Sequence, residues 1–404
     1  MRIRDLKIRN IGPFLDSKIE FISDEDRLKY PPVIIITGEN GTGKSIILDA
    51  IRSLFIGVFG EVEREITSAT DFFIGANIVI NKNKRIELKS NSKQEGGSFL
   101  TNDMEFNKIF RSQFQPNYKK DFILEYWTSK LSNDKFNINN IQALGTNNYL
   151  DDALTGIHKN VDVTKIISFF DYLKDSRETT EKELGESLYN LLEEIINLSI
   201  SEGKLSHVSR VTLTPIIKVL QREVSLDKLS SGNLYLIQRF TSLLRQVYAI
   251  CSHNNIPIQE YKQIEGLLLI DEAENHLHPK WQKVFLRNIL KLFPKLQIII
   301  TTHSPFIVSS ISNARVYVCS NQIDHSEIVE ESDFYANSPI EEILRSPLFD
   351  TNSFNIDISQ LLQQRKLAIE SKDNVLKKEI EEKLLVINPE YFNYFNINEI
   401  IRNL

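Results

Sequence analysis

The sequence predicts an α/β fold built on a buried parallel sheet, and three stretches predict it. Val33 to Ile36 is a β-branched apolar run feeding the glycine-rich segment Gly38-Glu39-Asn40-Gly41-Thr42-Gly43-Lys44-Ser45. Leu267 to Ile270 ends in Asp271 and Glu272, and Gln297 to Thr302 ends in His303. Apolar runs of this length are buried on both faces, as parallel strands are. Each delivers polar groups at its carboxyl end, where ligands bind in open α/β sheets.

The first stretch reads as a phosphate loop. It follows a strand, and Ser45 to Ile51 continue as a helix, the context that a G-x-x-x-x-G-K-[ST] match requires. Its glycines let backbone N–H groups turn toward phosphate oxygens, and the helix N-terminus adds its positive dipole end. Lys44 is expected to reach the β- and γ-phosphates of ATP, and Ser45 to hold Mg²⁺. Asp271 is assigned to the same metal, because adjacent carboxylates at one strand tip repel unless a cation separates their roles. Glu272 is then the general base that polarises water, and His303 is a sensor of the γ-phosphate.

Residues 1–100 read as strands around one helix, with Phe72 to Ile80 and Ile86 to Leu88 forming an antiparallel hairpin through a turn at Asn81 to Arg85. Residues 101–220 read as a helical and irregular lid insertion. Asn-rich residues 100–165 have weak periodicity, while Leu184, Leu188, Leu191, Leu192 and Ile195 mark one face of a helix. Gln113 and Gln115 are candidates for a lid glutamine. The stretch between Lys44 and Ser231 sustains no heptad repeat, which excludes a long coiled-coil arm. Residues 221–330 return to the core. There Ser230-Ser231-Gly232-Asn233 opens a helix whose N-terminal N–H groups suit a phosphate. Residues 331–404 read as a small helical docking or dimerisation region. It holds a short helix at Ser338–Leu344 and a hairpin over Ile358–Ser371 and Asp373–Val386, capped by Asp357 and Asp373. Ile358, Leu361, Leu362 and Ile369 mark one face of it, and Leu376, Ile380 and Leu384 the other.

With 404 residues, 41% hydrophobic and 25% charged, the chain has the composition of an ordinary globular protein of two or three domains. Its cysteines, Cys251 and Cys319, are far apart, which fits a reducing compartment. No apolar run approaches a membrane span, and the first residues lack the apolar core of a signal peptide, so a cytoplasmic protein is expected. The net charge of −6 argues against sequence-independent DNA binding by the whole surface. The basic stretches Arg2, Arg4, Lys7, Arg9 and Lys82, Lys84, Arg85, Lys89 read as solvated strand faces. His276 and His278 have no third ligand nearby in sequence, so no metal reading is carried for them.

These motifs resemble the ABC-type ATPase superfamily in its SMC-, RecF- and OLD-like branch. Asp271-Glu272-Ala273-Glu274-Asn275-His276-Leu277-His278-Pro279 looks like that branch's D-E-P-E-x-H-L-H-P form, with Ala273 in place of proline. Thr302-His303-Ser304-Pro305 matches its switch, and Ile8-Arg9-Asn10-Ile11-Gly12-Pro13-Phe14 its opening strand. The resemblance implies an ABC-type P-loop ATPase head with an antiparallel β subdomain, a helical insertion and a small helical C-terminal region. It implies two heads paired head to tail around two ATP molecules, each site taking Ser231 and Gly232 from the other subunit. Asn233 departs from the Glu, Gln or Lys usual there. The carboxylate pattern of the nuclease domain carried by OLD proteins is missing, so no nuclease activity is expected in this chain. A short head without arm or nuclease is similar to the PtuA family, the ATPase subunits of Septu-type antiviral defence, and to its retron-associated relatives. The implied partner is an HNH nuclease, with DNA contacted through the complex. Two rival readings stand beside this one: a RecF- or SMC-like DNA repair ATPase acting directly on DNA, and a slow-turnover nucleotide-sensing scaffold.

Overall fold

The computed structural model describes residues 1–22, 33–59, 64–80, 84–128, 138–151, 153–154, 163–200, 202–312, 314–349 and 354–396. The chain forms two compact units, 1–340 and 341–404. The first extends beyond residue 330 because Ser332 Oγ accepts the Val316 N–H at 3.0 Å, tying that segment to a core strand.

β1 (Arg2–Ile11) and β2 (Phe14–Glu20) open the first unit, and β3 (Val33–Gly38) leads through the phosphate loop into α1 (Lys44–Ile56). β4 (Phe73–Ile80) and β5 (Lys84–Ser90) then complete an antiparallel sheet of order β2-β1-β4-β5. Period-two alternation buries Leu6, Ile8, Ile74, Ala76 and Ile78 on its inner face. On the outer face Lys18, Lys7 and Lys89 align with Gly75 in one cross-strand row, and Glu20, Asp5 and Glu87 align with Asn77 in the next. The rows alternate in sign, so this face offers no continuous phosphate track. Lys82 lies outside the described residues.

Two two-residue strands, β6 (Ser92–Lys93) and β7 (Phe99–Leu100), and α2 (Met104–Asn107) precede β8 (Ile123–Trp127). Here the lid reading of 101–220 needs correction, because β8 is a strand of the main sheet. Its apolar run is interrupted by Glu125, which is nevertheless buried. The Glu125 carboxylate accepts from Ser242 Oγ at 2.6 Å and Gln246 Nε2 at 3.2 Å. Burial pushes it up to about 7, against the hydrogen bond from Ser242. The rest of this stretch holds α3 (Val163–Lys174), α4 (Thr179–Ser199) and a three-stranded meander, β9 (Gly203–Val208), β10 (Pro215–Val219) and β11 (Arg222–Ser225). Leu188, Leu192 and Ile195 of α4 are buried, as their spacing predicts.

α5 (Ser231–Asn254), β12 (Gly266–Ile270), α6 (Pro279–Leu292), β13 (Leu296–Thr301), α7 (Pro305–Val308), β14 (Arg315–Asn321), β15 (Ser326–Glu330) and α8 (Ser332–Tyr335) complete the unit. The main sheet runs β15-β14-β3-β13-β12-β8, parallel except for β15. Ile270 pairs with Ile300, Thr301 with Ile36, and Cys319 with Gly38, so the functional strand ends are level. The result is a mostly parallel α/β sheet with the phosphate loop between β3 and α1.

Two buried glutamines act as pieces of backbone. Gln297 accepts the Ile3 N–H at 2.7 Å and donates to its carbonyl at 2.8 Å, fastening β13 to β1 beside the β1 register shift. Gln246 of α5 does the same for Leu124 of the edge strand β8, at 3.0 Å and 3.0 Å.

In the second unit α9 (Ile340–Arg345) precedes a hairpin of α10 (Ile356–Glu370) and α11 (Asn374–Ile387), with α12 (Pro389–Phe392) after it. Ile358, Leu361 and Leu362 pack on Ile380, Leu384 and Phe392. Asp373 caps α11, but α10 is capped by Asn355, whose Oδ1 accepts the Ile358 N–H at 2.9 Å. Asp357 sits inside the first turn instead, where the dipole favours it. Ile369 and Leu376 are 46% and 42% exposed rather than on the seam, because both lie at the open tip of the hairpin. No helix among the described residues is long and apolar enough to cross a membrane.

Replacing Gln297 by Leu strands a buried N–H and a buried carbonyl at Ile3. The expected loss is about 2–4 kcal/mol of stability, since each stranded group costs roughly 1–3 kcal/mol. Denaturant unfolding of the variant beside the parent measures it.

Candidate functional site

The phosphate loop leaves β3 at Gly38 and closes at Gly43. Gly43 holds φ +91°, and a Cβ there would lie 2.6 Å from Pro13 Cγ and 2.7 Å from Phe14, so the close approach of the opening strand demands glycine. A Cβ on Gly41 would meet none of the described residues beyond its chain neighbours within 4 Å, so its side of the loop is open. Thr42 Oγ1 donates to the Glu39 carbonyl at 2.9 Å and braces the turn. Lys44 Nζ donates to the Gly38 and Glu39 carbonyls at 3.0 Å and 2.7 Å, while Glu39 and Asn40 are exposed. Burial pushes the Lys44 ammonium below its ordinary value, opposed by groups that include Glu274, Asp271 and Glu272.

Asp271 is fully buried and drawn in from several sides. Ser45 Oγ donates to its Oδ1 at 2.6 Å and Thr301 Oγ1 to the same oxygen at 2.7 Å. Arg64 donates to its Oδ2 at 3.0 Å and reaches Asp49 Oδ2 at 3.5 Å. Although burial opposes it, the paired carboxylates Asp271 and Asp49 hold the Arg64 guanidinium above its ordinary value. Asp49 also pairs with Arg52, whose guanidinium lies 3.8 Å over the Tyr126 ring of β8. β8 therefore supplies one wall of the site.

Ser45 and Asp271 bring two hard oxygen ligands together, Ser45 Oγ and Asp271 Oδ1 lying 2.6 Å apart, while Arg64 contacts the other carboxylate oxygen, Oδ2. That donor set fits Mg²⁺.

Glu272 adopts φ +52°, a left-handed conformation uncommon for a residue with a side chain. Its N–H donates to Thr301 Oγ1 at 2.8 Å, and Asn275 Nδ2 donates to its Oε2 at 2.6 Å. Both bonds hold the carboxylate at the strand tip. On the adjacent strand end, Thr302 Oγ1 donates to Glu274 Oε2 at 2.6 Å and the His303 N–H to Glu274 Oε1 at 2.7 Å. Ser304 Oγ donates to Gln282 Oε1 at 2.6 Å. Burial lowers the His303 imidazole below its ordinary value and Lys44 lowers it further, against Glu274, Glu272 and Asp271. Burial and Lys44 thus both favour the neutral imidazole.

Ser230 caps α5, and Ser231 is its first residue, exposed. A Cβ on Gly232 would meet the His276 carbonyl at 2.6 Å, so the turn that opens α5 abuts the loop after Asp271 and Glu272. Among the described residues no hydrogen bond joins Ser231 or Gly232 to the phosphate loop of the same chain.

Lys44, Ser45, Asp271, Glu272 and His303 thus converge, while Ser231 and Gly232 stand on α5. Sequence reasoning missed Arg64, Asp49, Arg52, Tyr126, Thr301 and Glu274. Arg64 had one available signal, a single cation between Glu63 and Glu65. A cavity of about 400 Å³ also lies beside the loop, lined by residues including Asn10, Gly12, Phe14, Glu65, Ile66 and Thr67.

The chain is 26% identical over 359 residues to the Septu protein PtuA of Bacillus thuringiensis, covering 82% of this chain and 78% of that protein. It is 23% identical over 398 residues to the "Retron Vc95 probable ATPase" of Vibrio cholerae serotype O1 biovar El Tor, covering 80% and 74%. Among solved structures, an SmcHead bound to the C-winged helix domain of ScpA aligns with a TM-score of 0.47 at 17% identity, over 81% of this chain and 97% of that one. The family described as "AAA domain, putative AbiEii toxin, Type IV TA system" matches residues 33–309, most of the chain, and to that family the chain belongs.

Proposed function

We propose that this chain binds and hydrolyses ATP as a subunit of a bacterial antiviral defence complex, in which paired heads control a separate HNH nuclease. The observation that carries the reading is the convergence of Lys44, Ser45, Asp271, Glu272 and His303 at one end of the sheet. The Septu and retron relatives support the defence setting.

Each residue has a task that its surroundings support. Lys44 is held by two carbonyls that phosphate oxygens would replace. The loop N–H groups and the start of α1 supply further donors. Ser45 and Asp271 would hold Mg²⁺, which neutralises phosphate charge when bound. Glu272, oriented by Asn275 and Thr301, accepts the proton of the attacking water. Neutral His303 offers a hydrogen bond to the γ-phosphate without adding a second cation beside Lys44. The cavity at Phe14 and Thr67 has room for the adenine of ATP.

Ser231, Gly232 and the exposed start of α5 are suited to a phosphate held by another copy, which favours a head-to-tail pair. ATP then sets head closure, and closure is what a bound nuclease reads. DNA is met through the complex, and this chain cuts nothing itself.

Glu272→Gln is expected to lower turnover at least about 100-fold while ATP binding survives, because the general base is lost and the binding groups are kept. Phosphate release and equilibrium nucleotide binding separate the two; unchanged turnover would sink the assignment. Activity is expected to stay level across neutral pH and to fall only below the ordinary histidine range. The lowered His303 value keeps the ring neutral until then, and protonation beside Lys44 is unfavourable. His303→Gln should flatten that acidic limb in a pH–rate profile. Co-expression with the neighbouring genes, followed by affinity purification and mass spectrometry, is expected to recover a stoichiometric HNH nuclease. Recovery of the chain with DNA alone would favour the repair-type ATPase.

A further inference from the structure

We propose that Glu274 is the positioning residue of the switch, fixing the peptide that carries His303 so that hydrolysis depends on this carboxylate through His303. The inference rests on the ATPase reading above and assigns work to a residue that reading leaves idle.

Glu274 lies in the loop that follows Asp271 and Glu272. Its two carboxylate oxygens divide between adjacent groups, Oε2 accepting from Thr302 Oγ1 at 2.6 Å and Oε1 from the His303 N–H at 2.7 Å. The neighbours of His303 are held independently. The Thr302 N–H donates to the Ile36 carbonyl of β3 at 3.0 Å, and Ser304 Oγ donates to Gln282 at 2.6 Å. Ser304 N–H also donates to Thr302 Oγ1 at 3.0 Å, so the Thr302 hydroxyl is spent in both directions. Glu274 is therefore the group that fixes the His303 peptide itself, and it acts from the same loop as the general base.

A simple requirement for a backbone acceptor does not explain the arrangement. Satisfying one N–H takes a single carbonyl or water. A charged carboxylate spanning two donors costs desolvation and is sensitive to geometry. It also stands close enough to Lys44 and His303 to oppose the lowering of both. Removing it releases the Thr302 hydroxyl and the His303 N–H together, and a displacement of about 1 Å at a reacting group costs on the order of 100-fold in rate.

The test uses the full chain, with Glu274→Ala, Glu274→Gln, His303→Ala and the Glu274→Ala/His303→Ala pair. Readouts are ATP turnover, binding of a fluorescent ATP analogue and thermal melting. Glu274→Ala is expected to lower kcat by roughly 30- to 100-fold with KM within about two-fold, the signature of an interaction lost at the transition state. Glu274→Gln, which keeps a side-chain oxygen as acceptor for the His303 N–H, should recover most of that loss. The double variant should be no slower than His303→Ala alone, since both act through one group. Multiplying effects in the double variant, or a Glu274→Ala enzyme that turns over like the parent, overturns the proposal and leaves the ATPase reading standing. If Glu274→Ala does not fold, Thr302→Val against His303→Ala provides the same cycle with the opposite end of the clamp cut. A parent chain that binds the analogue but hydrolyses no ATP, with Glu272→Gln indistinguishable from it, overturns the ATPase reading and this inference with it.

Discussion

The Thr301 hydroxyl is the interaction on which the rest of the site depends. It donates to Asp271 Oδ1 and accepts the Glu272 N–H, so one side chain fixes Asp271 and Glu272, the proposed metal carboxylate and general base, relative to each other. It can do so because β12 and β13 are parallel and in register, Ile270 beside Ile300. A slip of one residue would turn Thr301 to the opposite face and leave Asp271 without that donor. The same registration carries on to β3, where Thr301 sits opposite Ile36, and to β14, where Cys319 sits opposite Gly38. The chemistry is level because the ladders are level.

Charge balance then shapes what the site accepts. Asp49, Asp271, Glu272 and Glu274 gather around Lys44, Arg52 and Arg64. Arg64 rests on the carboxylate that would hold the metal, so the cluster is compensated before any ligand arrives. A nucleotide with its metal is itself anionic, and here Arg52 and Arg64 are already paired with carboxylates while Lys44 rests on two carbonyls. Further stabilisation must come from dipoles, from the loop N–H groups and from a helix start. The exposed N-terminus of α5 is such a source, and in the proposed pair it would be supplied by the other copy.

The motifs were legible in sequence because each sits where an apolar run stops, and a buried strand ending in Gly, Asp-Glu or Thr-His leaves few other readings. β8 was not legible because Glu125 breaks its run; only the fold supplies Ser242 and Gln246 to satisfy that carboxylate. Arg64 was missed for a related reason: it reaches Asp271 across more than 200 positions of sequence, from a loop without periodicity. The meander β9–β11 is too short for alternation to register. At the C-terminal hairpin the helices were read correctly, but Asn355 took the cap from Asp357, since a cap depends on where the backbone leaves helical geometry rather than on which acidic residue lies nearest.

The loop from Asp271 to His278 behaves as one body. Glu272 and His276 both hold left-handed backbone, which costs energy and persists only where the surroundings enforce it. Enforcement comes from Thr301, Thr302 and His303 on one side and from Gln282, whose Nε2 donates to the Leu277 carbonyl at 2.8 Å, on the other. Within the loop the Asn275 and Leu277 N–H groups close on the Glu272 and Glu274 carbonyls at 3.0 Å and 3.0 Å. Its far end lies against Gly232, where no side chain could be accommodated. One hydrogen-bonded loop thus links Glu272 and His303 at one end to the start of α5 at the other. Under the proposed function, the general base, the switch and the start of α5 would move together through this loop, which requires neither long-range strain nor a separate relay.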